Sequence, residues 1–256
     1  MKESRLEHWE TFWAEKSNVA DVYSNSDRVV RNLIKITDVK GKKILEIGAG
    51  TGRDSFPLVT LGADVYQLDY SMNSLTIMKR IAEEEKMNVT IIGGDTFALP
   101  FKDDSFDIVF HQGLLEHFRH DKAEALLKEN IRVLKKGGLL CVDVPQRYHI
   151  YTVIKKILIA LNTWFAGWER SFSVPELKRE MERLGLRTVH TYGEWMYPSL
   201  FYRMAREALR KVGIKLPLYP KIPFLYSIRK ALRLALRDTP IAYYTALSMG
   251  VIGKKV

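Results

Sequence analysis

Gly48, Gly50 and Gly52 fall within five positions at the end of the apolar run "KILEI". Glycines at that spacing after a strand let a backbone approach a ligand with no Cβ in the way. Nineteen residues after Gly50, Asp69 stands near the end of a second apolar run, "DVYQLDY". A carboxylate there can accept both hydroxyls of a ribose, and hydrogen bonds to an ionised group contribute about 1.5–3 kcal/mol each. Asp95 ends a third run, "NVTIIGGD". In "LLEHF", Glu116 and His117 place a carboxylate beside an imidazole, the combination that removes a proton from a reacting group; capping of a helix or an internal hydrogen bond is the structural alternative. The glycine turn and Asp69 together read as a site that holds an adenosine-bearing ligand.

Two ligand classes offer that adenosine. A dinucleotide turn is written G-x-G-x-x-G, with the pyrophosphate on the helix N-terminus. This chain has G-x-G-x-G followed by Arg53 and Asp54, and an acid at the head of the helix faces a pyrophosphate unfavourably. The spacing leans away from NAD and an oxidoreductase; S-adenosylmethionine is the other class, and Asp69 serves either ribose.

The elements that must position these residues alternate. Strand-like runs at 42–50, 64–70, 88–95, 106–113 and 137–145 are separated by helical patterns at 53–61, 72–86, 114–118 with 121–134, and 174–184. Near-continuous apolar strands alternating with helices predict a doubly wound, mostly parallel α/β sheet. A capped helix ending at Gly185 leads into a further strand within 172–195, and 241–255 reads as a terminal strand. The segments 146–171 and 196–240 fit the sheet poorly and read as helical insertions forming a cap, while 1–36 reads as a helical segment outside it. We therefore expect one domain over 1–256 with its cofactor-binding core at 40–145.

The combined motifs resemble those of class I S-adenosylmethionine-dependent methyltransferases: E-x-G-x-G-x-G at 46–52, an acid after the second strand, and "GDTFALPFKDDSFD" at 94–107. "LLKENIRVLKKGGLLCVDVP" resembles the helix and fifth strand of the same group. The resemblance implies a seven-stranded Rossmann-like sheet of order 3-2-1-4-5-7-6 with the last strand antiparallel. It also implies that Glu46, Gly48, Ala49 and Gly50 face the amino-acid part of the cofactor, with Arg53 either near its carboxylate or paired with Asp54 or another surface acid. Asp69 would hold the ribose and Tyr70 would lie against the adenine. Asp95 would accept from the adenine amino group, Thr96 would add a backbone contact, and His111 would sit beside the methionine moiety. S-adenosyl-L-homocysteine would be the product. His117, with Glu116 as its partner, is the candidate base. Orientation alone supplies about 7–11 kcal/mol in such a transfer, whereas a base adds about 10² to 10⁴ in rate, so the base is the dispensable part.

Composition narrows the setting. The single cysteine, Cys141, lies in an apolar run and excludes an intramolecular disulfide. His8, His120, His149 and His190 show no ligand spacing, and no metal is expected. With no signal peptide and no spanning run, a cytoplasmic protein is expected. The net charge of +10 is concentrated: residues 1–197 hold 28 basic and 28 acidic side chains, whereas 198–256 hold 12 and 2. "SLFYRMAREALRKVGIK" and "FLYSIRKALRLALRD", within 199–238, read as basic amphipathic helices. They either contact an anionic membrane surface or form a cap whose apolar face covers the site. Tyr148, Tyr151, Trp164, Phe165 and Trp168, with Trp9, Phe12 and Trp13, either wall a pocket for an apolar or lipid-like small-molecule acceptor or pack an accessory helix onto the core. An RNA methyltransferase is the alternative enzyme; no recognisable RNA-binding module or N-P-P-[YF] motif supports nucleic acid as the partner. A non-catalytic cofactor-binding protein is the alternative class, and the oligomeric state is left open.

Overall fold

The computed structural model describes residues 5–14, 27–164, 166–195, 198–220, 223–237 and 239–256. Phe165 and residues 15–26 of the expected N-terminal helical segment lie outside them. The first helices are α1 (Leu6–Ala14) and α2 (Asp27–Ile34). The order then runs β1 (Lys43–Ile47), α3 (Phe56–Thr60), β2 (Asp64–Asp69), α4 (Met72–Glu84), β3 (Thr90–Gly93), β4 (Phe106–Gln112), a 3₁₀ turn (Leu115–His117), α5 (His120–Val133) and β5 (Leu134–Pro145). There follow α6 (Ile150–Ala160), α7 (Val174–Arg183), β6 (Leu186–Glu194), α8 (Leu200–Lys211), α9 (Pro223–Leu236), α10 (Pro240–Thr245) and β7 (Ser248–Lys255).

The seven strands form one sheet of order β3-β2-β1-β4-β5-β7-β6, as the resemblance implied. The β1–β5 ladder is parallel, and β7 runs antiparallel to both β5 and β6. Both sheet faces are covered, and the period of two sorts the core. Leu45, Ile47, Val109, Leu140 and Val142 pack with Leu126 and Leu127 of α5 and Leu177 of α7. Their sequence neighbours Ile44, Ile108, Phe110 and Cys141 pack on the opposite face with Val29 and Leu33 of α2 and Leu58 of α3. Burial pushes the Cys141 thiol up to about 12, so the cysteine is an inert core residue.

Three differences from the sequence reading have local causes. Residues 241–247 are not strand: Thr239 stands at an N-cap and Pro240 opens α10, so the terminal strand begins only at Ser248. The helix expected over 53–61 is confined to Phe56–Thr60 because Gly52, at φ +70°, is followed by a turn through Ser55. The third concerns the cap. α8 and α9 do not turn their apolar stripes inward; Phe201, Met204 and Val212 are exposed, as are Ile228 and Leu232. Among the described residues, no helix is long and apolar enough to cross a membrane.

Candidate functional site

The carboxyl ends of β1, β2 and β4 gather the glycine turn and its acids on one edge of the sheet. Gly48, Gly50 and Gly52 all adopt positive φ, between 59° and 70°, a conformation that L side chains rarely take. At Gly52 a Cβ would lie 2.3 Å from Gln67 Nε2. Gln67 uses that same nitrogen to donate to Gly52 O at 3.0 Å and Ser55 Oγ at 2.9 Å. At Gly50 a Cβ would lie 2.6 Å from the indole of Trp13, so α1 passes directly over the turn.

Asp69 is buried and receives the backbone N–H of Gly50 at 2.8 Å on one oxygen and that of Ser71 at 3.0 Å on the other. A carboxylate has about four acceptor sites, so this arrangement fixes the acid and still leaves lone pairs for a ligand. Burial raises its pKa, and the backbone N–H groups work against that rise. Tyr70, next along, is well exposed. Asp95 is exposed after β3 and accepts from Phe97 N at 2.9 Å.

Glu46 lies near the end of β1, beside the turn. It is buried and accepts from Ser55 Oγ; desolvation, reinforced by Asp54, holds its pKa well above the carboxylate range. Its contact is with the turn's own scaffold. Arg53 lies within electrostatic reach of Asp54 and of Tyr219, and burial lowers its pKa. Asp54, pushed up to about 6 by burial, accepts from Gln112 Nε2 at 2.7 Å at the end of β4. His111 is fully buried and neutral, its pKa lowered to about 3 by desolvation. Both of its ring nitrogens, and Thr96 Oγ1, are buried without a hydrogen-bond partner among the described residues. Orphaned polar atoms beside a turn kept clear of Cβ atoms fit a polar ligand at this edge.

The 3₁₀ turn after β4 carries Glu116 and His117 into a buried charged cluster. The carboxylate facing His117 is Glu169, with Nδ1 and Oε1 3.7 Å apart, in place of the expected Glu116. Glu169 also accepts from Lys155 Nζ at 2.7 Å and Trp164 Nε1 at 2.8 Å. Desolvation lowers the pKa of His117 despite Glu169, leaving a neutral imidazole at pH 7. Glu116, buried near Glu169, is pushed up to about 8 and is therefore mostly protonated at pH 7. Trp9 of α1 meets His117 edge-on, with ring centroids 4.9 Å apart.

Glu10, between the two tryptophans, accepts from the backbone N–H groups of Met72 at 2.6 Å and Asn73 at 3.2 Å, where α4 begins. One N-terminal helix thus spans the glycine turn, the end of β2 and His117. Reading the sequence used Asp54 only against a pyrophosphate, and missed Glu10, Gln112, Asp143, Lys155 and Glu169. Asp143 alone had a signal, being an acid at the end of an apolar strand; it pairs with Arg28 of α2 through two bonds of 2.9 and 3.0 Å. A separate cavity of about 330 Å³, lined by Lys42, Lys136, Arg187 and Lys254, opens at the opposite edge of the sheet.

Residues 44–138 match the family model described as a methyltransferase domain. A demethylmenaquinone methyltransferase from Renibacterium salmoninarum is 39% identical over 104 residues, which is 41% of this chain and 41% of that protein. O-methyltransferase 3 of Dictyostelium discoideum is 29% identical over 49% of this chain and 31% of its own length. The matches thus span less than half of either relative. Among solved structures, a SAM-dependent methyltransferase from Thermotoga maritima superposes with a TM-score of 0.63 at 22% identity, covering 98% of this chain and 100% of that one. Magnesium protoporphyrin IX methyltransferase from Synechocystis, with bound SAH, gives 0.59 at 16% identity over 90% and 81%. Residues 44–138 thus match a methyltransferase domain in sequence, and the seven-stranded topology around them is the fold of these solved structures.

Proposed function

We propose that the chain transfers a methyl group from S-adenosyl-L-methionine to a small, apolar or lipid-like acceptor. The observation that carries the reading is the bond from Gly50 N to Asp69 Oδ2, which locks the glycine turn to the acid at the adjoining strand end. Bound S-adenosyl-L-methionine supplies an electrophilic sulfonium methyl group. Asp69 would accept the ribose hydroxyls, Tyr70 would lie against the adenine, and Asp95, with Thr96, would meet its edge. Gly48, Ala49 and Gly50 would face the amino-acid part, with Arg53 near its carboxylate and His111 beside its carbon chain. Glu46 would act at one remove, by holding Ser55 and with it the shape of the turn.

His117 would take the acceptor's proton. It is neutral and so has a free lone pair, and Glu169 favours the imidazolium that forms. Glu116, mostly protonated, would stay a hydrogen-bond donor beside it rather than compete as a second base. The apolar acceptor rests on two supports: relatives named for demethylmenaquinone and magnesium protoporphyrin IX, and the aromatic residues Trp9, Tyr151 and Trp164 around this end of the crevice.

Calorimetric titration with S-adenosylmethionine, S-adenosylhomocysteine and NADH tests the cofactor. Binding of the first two and not the third is expected, and binding of NADH alone would overturn the reading. His117→Ala, with cofactor binding and turnover measured separately, tests the base. A fall in turnover of about 10² to 10⁴ with binding intact is expected; unchanged turnover would remove His117 from the chemistry.

A further inference from the structure

The helices inserted at the carboxyl edge turn basic side chains inward and leave much of their apolar surface in solvent. In α6, Lys155 is buried against Glu169. Ile150, Val153, Ile157 and Leu161, at helical spacing on another face, are each more than half exposed. In α8, Arg203 and Arg206 are half-buried and donate to the carbonyls of Pro198 and Leu216. Phe201, Met204 and Val212 take the solvent side, Phe201 being 75% exposed. In α9, Arg233 reaches inward to the buried Glu194, while Ile228, Leu232 and Leu234 face out. A water-facing cap has the opposite arrangement, with its apolar stripe on the core and its charges in solvent.

All three helices leave the sheet where β5 and β6 end, the edge that holds the glycine turn. Tyr151 of α6 is within electrostatic reach of Arg203 of α8, and Tyr219 beyond α8 is within reach of Arg53 in the glycine turn. Lys156, Lys215 and Lys230 stand exposed beside the apolar stripes. Residues 198–240 carry 10 basic and 2 acidic side chains.

We infer that α6, α8 and α9 form a docking surface for an anionic phospholipid bilayer, their apolar stripes entering the headgroup boundary and the lysines meeting lipid phosphates. The two properties select the occupant together. Nucleic acid would satisfy the cations and leave the stripes in water. A second copy would cover the stripes and bring two basic rims face to face. An anionic bilayer satisfies both. The inference deepens the reading of a lipid-like acceptor, since docking at this edge would set the crevice against the layer that holds such a molecule.

The test is cosedimentation of the full chain with phosphatidylcholine vesicles, with and without phosphatidylglycerol, at low and high salt. Binding that requires phosphatidylglycerol and weakens with salt is expected. Replacing Lys156, Lys215 and Lys230 by Gln should weaken it about 100-fold, at about 1 kcal/mol per basic residue. The triple variant Ile157→Glu, Phe201→Glu and Leu232→Glu should abolish it with an unchanged melting temperature, because those side chains are already in water. Absence of binding to anionic vesicles at low salt overturns the inference, as does undiminished binding by both variants. Concentration-dependent dimerisation lost in the Glu variant, with vesicles ignored, assigns the face to a second copy and overturns it too. S-adenosylmethionine titration of the same samples separates this failure from failure of the methyltransferase reading.

Discussion

The backbone N–H of Gly50 donates to Oδ2 of Asp69 across 2.8 Å, so the turn that ends β1 and the acid that ends β2 form one rigid unit. Asp69→Asn can keep one acceptor oxygen for a backbone N–H, but it loses the charge and gives up the second oxygen. With hydrogen bonds to an ionised group at about 1.5–3 kcal/mol, cofactor affinity should fall about 10- to 150-fold. Calorimetry measures the loss, and an unchanged Kd would remove Asp69 from the ribose site.

Gly52 and Gly41 separate backbone strain from close packing. Both have φ near +70°, but a Cβ at Gly41 meets nothing within 4 Å, whereas at Gly52 it lies 2.3 Å from Gln67 Nε2. Gly41→Ala should cost about 1 kcal/mol, the left-handed penalty alone. Gly52→Ala adds displacement of a buried side chain from two hydrogen bonds and should cost about 3 kcal/mol or more. Urea midpoints of the two variants test the difference, and equal losses would show that Gln67 moves aside freely.

Much of this arrangement is legible in the sequence because local physics demands it. The turn at Gly48–Gly52 needs glycine for its φ values, and the strands around it are apolar runs closed by polar residues. Glu169 and Lys155 were not legible: their pairing spans a loop, and neither sits in a periodic context that marks it as buried. The faces of α8 and α9 show the complementary limit. Spacing reveals that Phe201, Met204 and Val212 share a stripe, yet nothing local says whether the stripe meets the core or the solvent. The run 241–247 failed for another reason, since short apolar stretches suit strand and helix alike and Pro240 decided the outcome.

Glu116 makes stability pH-dependent. Burial, reinforced by Glu169, raises its pKa from 4.5 to about 8 in the folded chain. Between those values the folded state holds a proton that the unfolded state releases, so stability falls as pH rises through that window, by at most about 1.4 kcal/mol per unit. Asp54, raised to about 6, acts in the same direction over a lower range. Glu116→Gln should flatten the decline without removing it, and should gain on the parent chain as pH increases. Chemical denaturation across about pH 5 to 8 reads the slope; parallel curves for the two proteins would contradict the raised pKa.

Lys155 and Glu169 are both buried and joined at 2.7 Å, and Glu169 also faces His117. Glu169→Gln keeps an acceptor for Trp164 but strands a buried ammonium, at a cost of about 3–5 kcal/mol. Lys155→Met strands the carboxylate instead. Combining the two removes both charges, so the double variant should recover most of the loss, giving a coupling energy of about 2 kcal/mol or more in the cycle. The same cycle probes the chemistry. Glu169 raises the pKa of His117, so if His117 is the base, its neutral form should persist to lower pH once the carboxylate is gone. Loss of Lys155, the smaller influence on His117, opposes part of this, so the acid limb of turnover should still move downward, by less, in the double variant, which folds. An acid limb that stays in place while the coupling energy appears would make this cluster a structural brace beneath the crevice and place the base elsewhere.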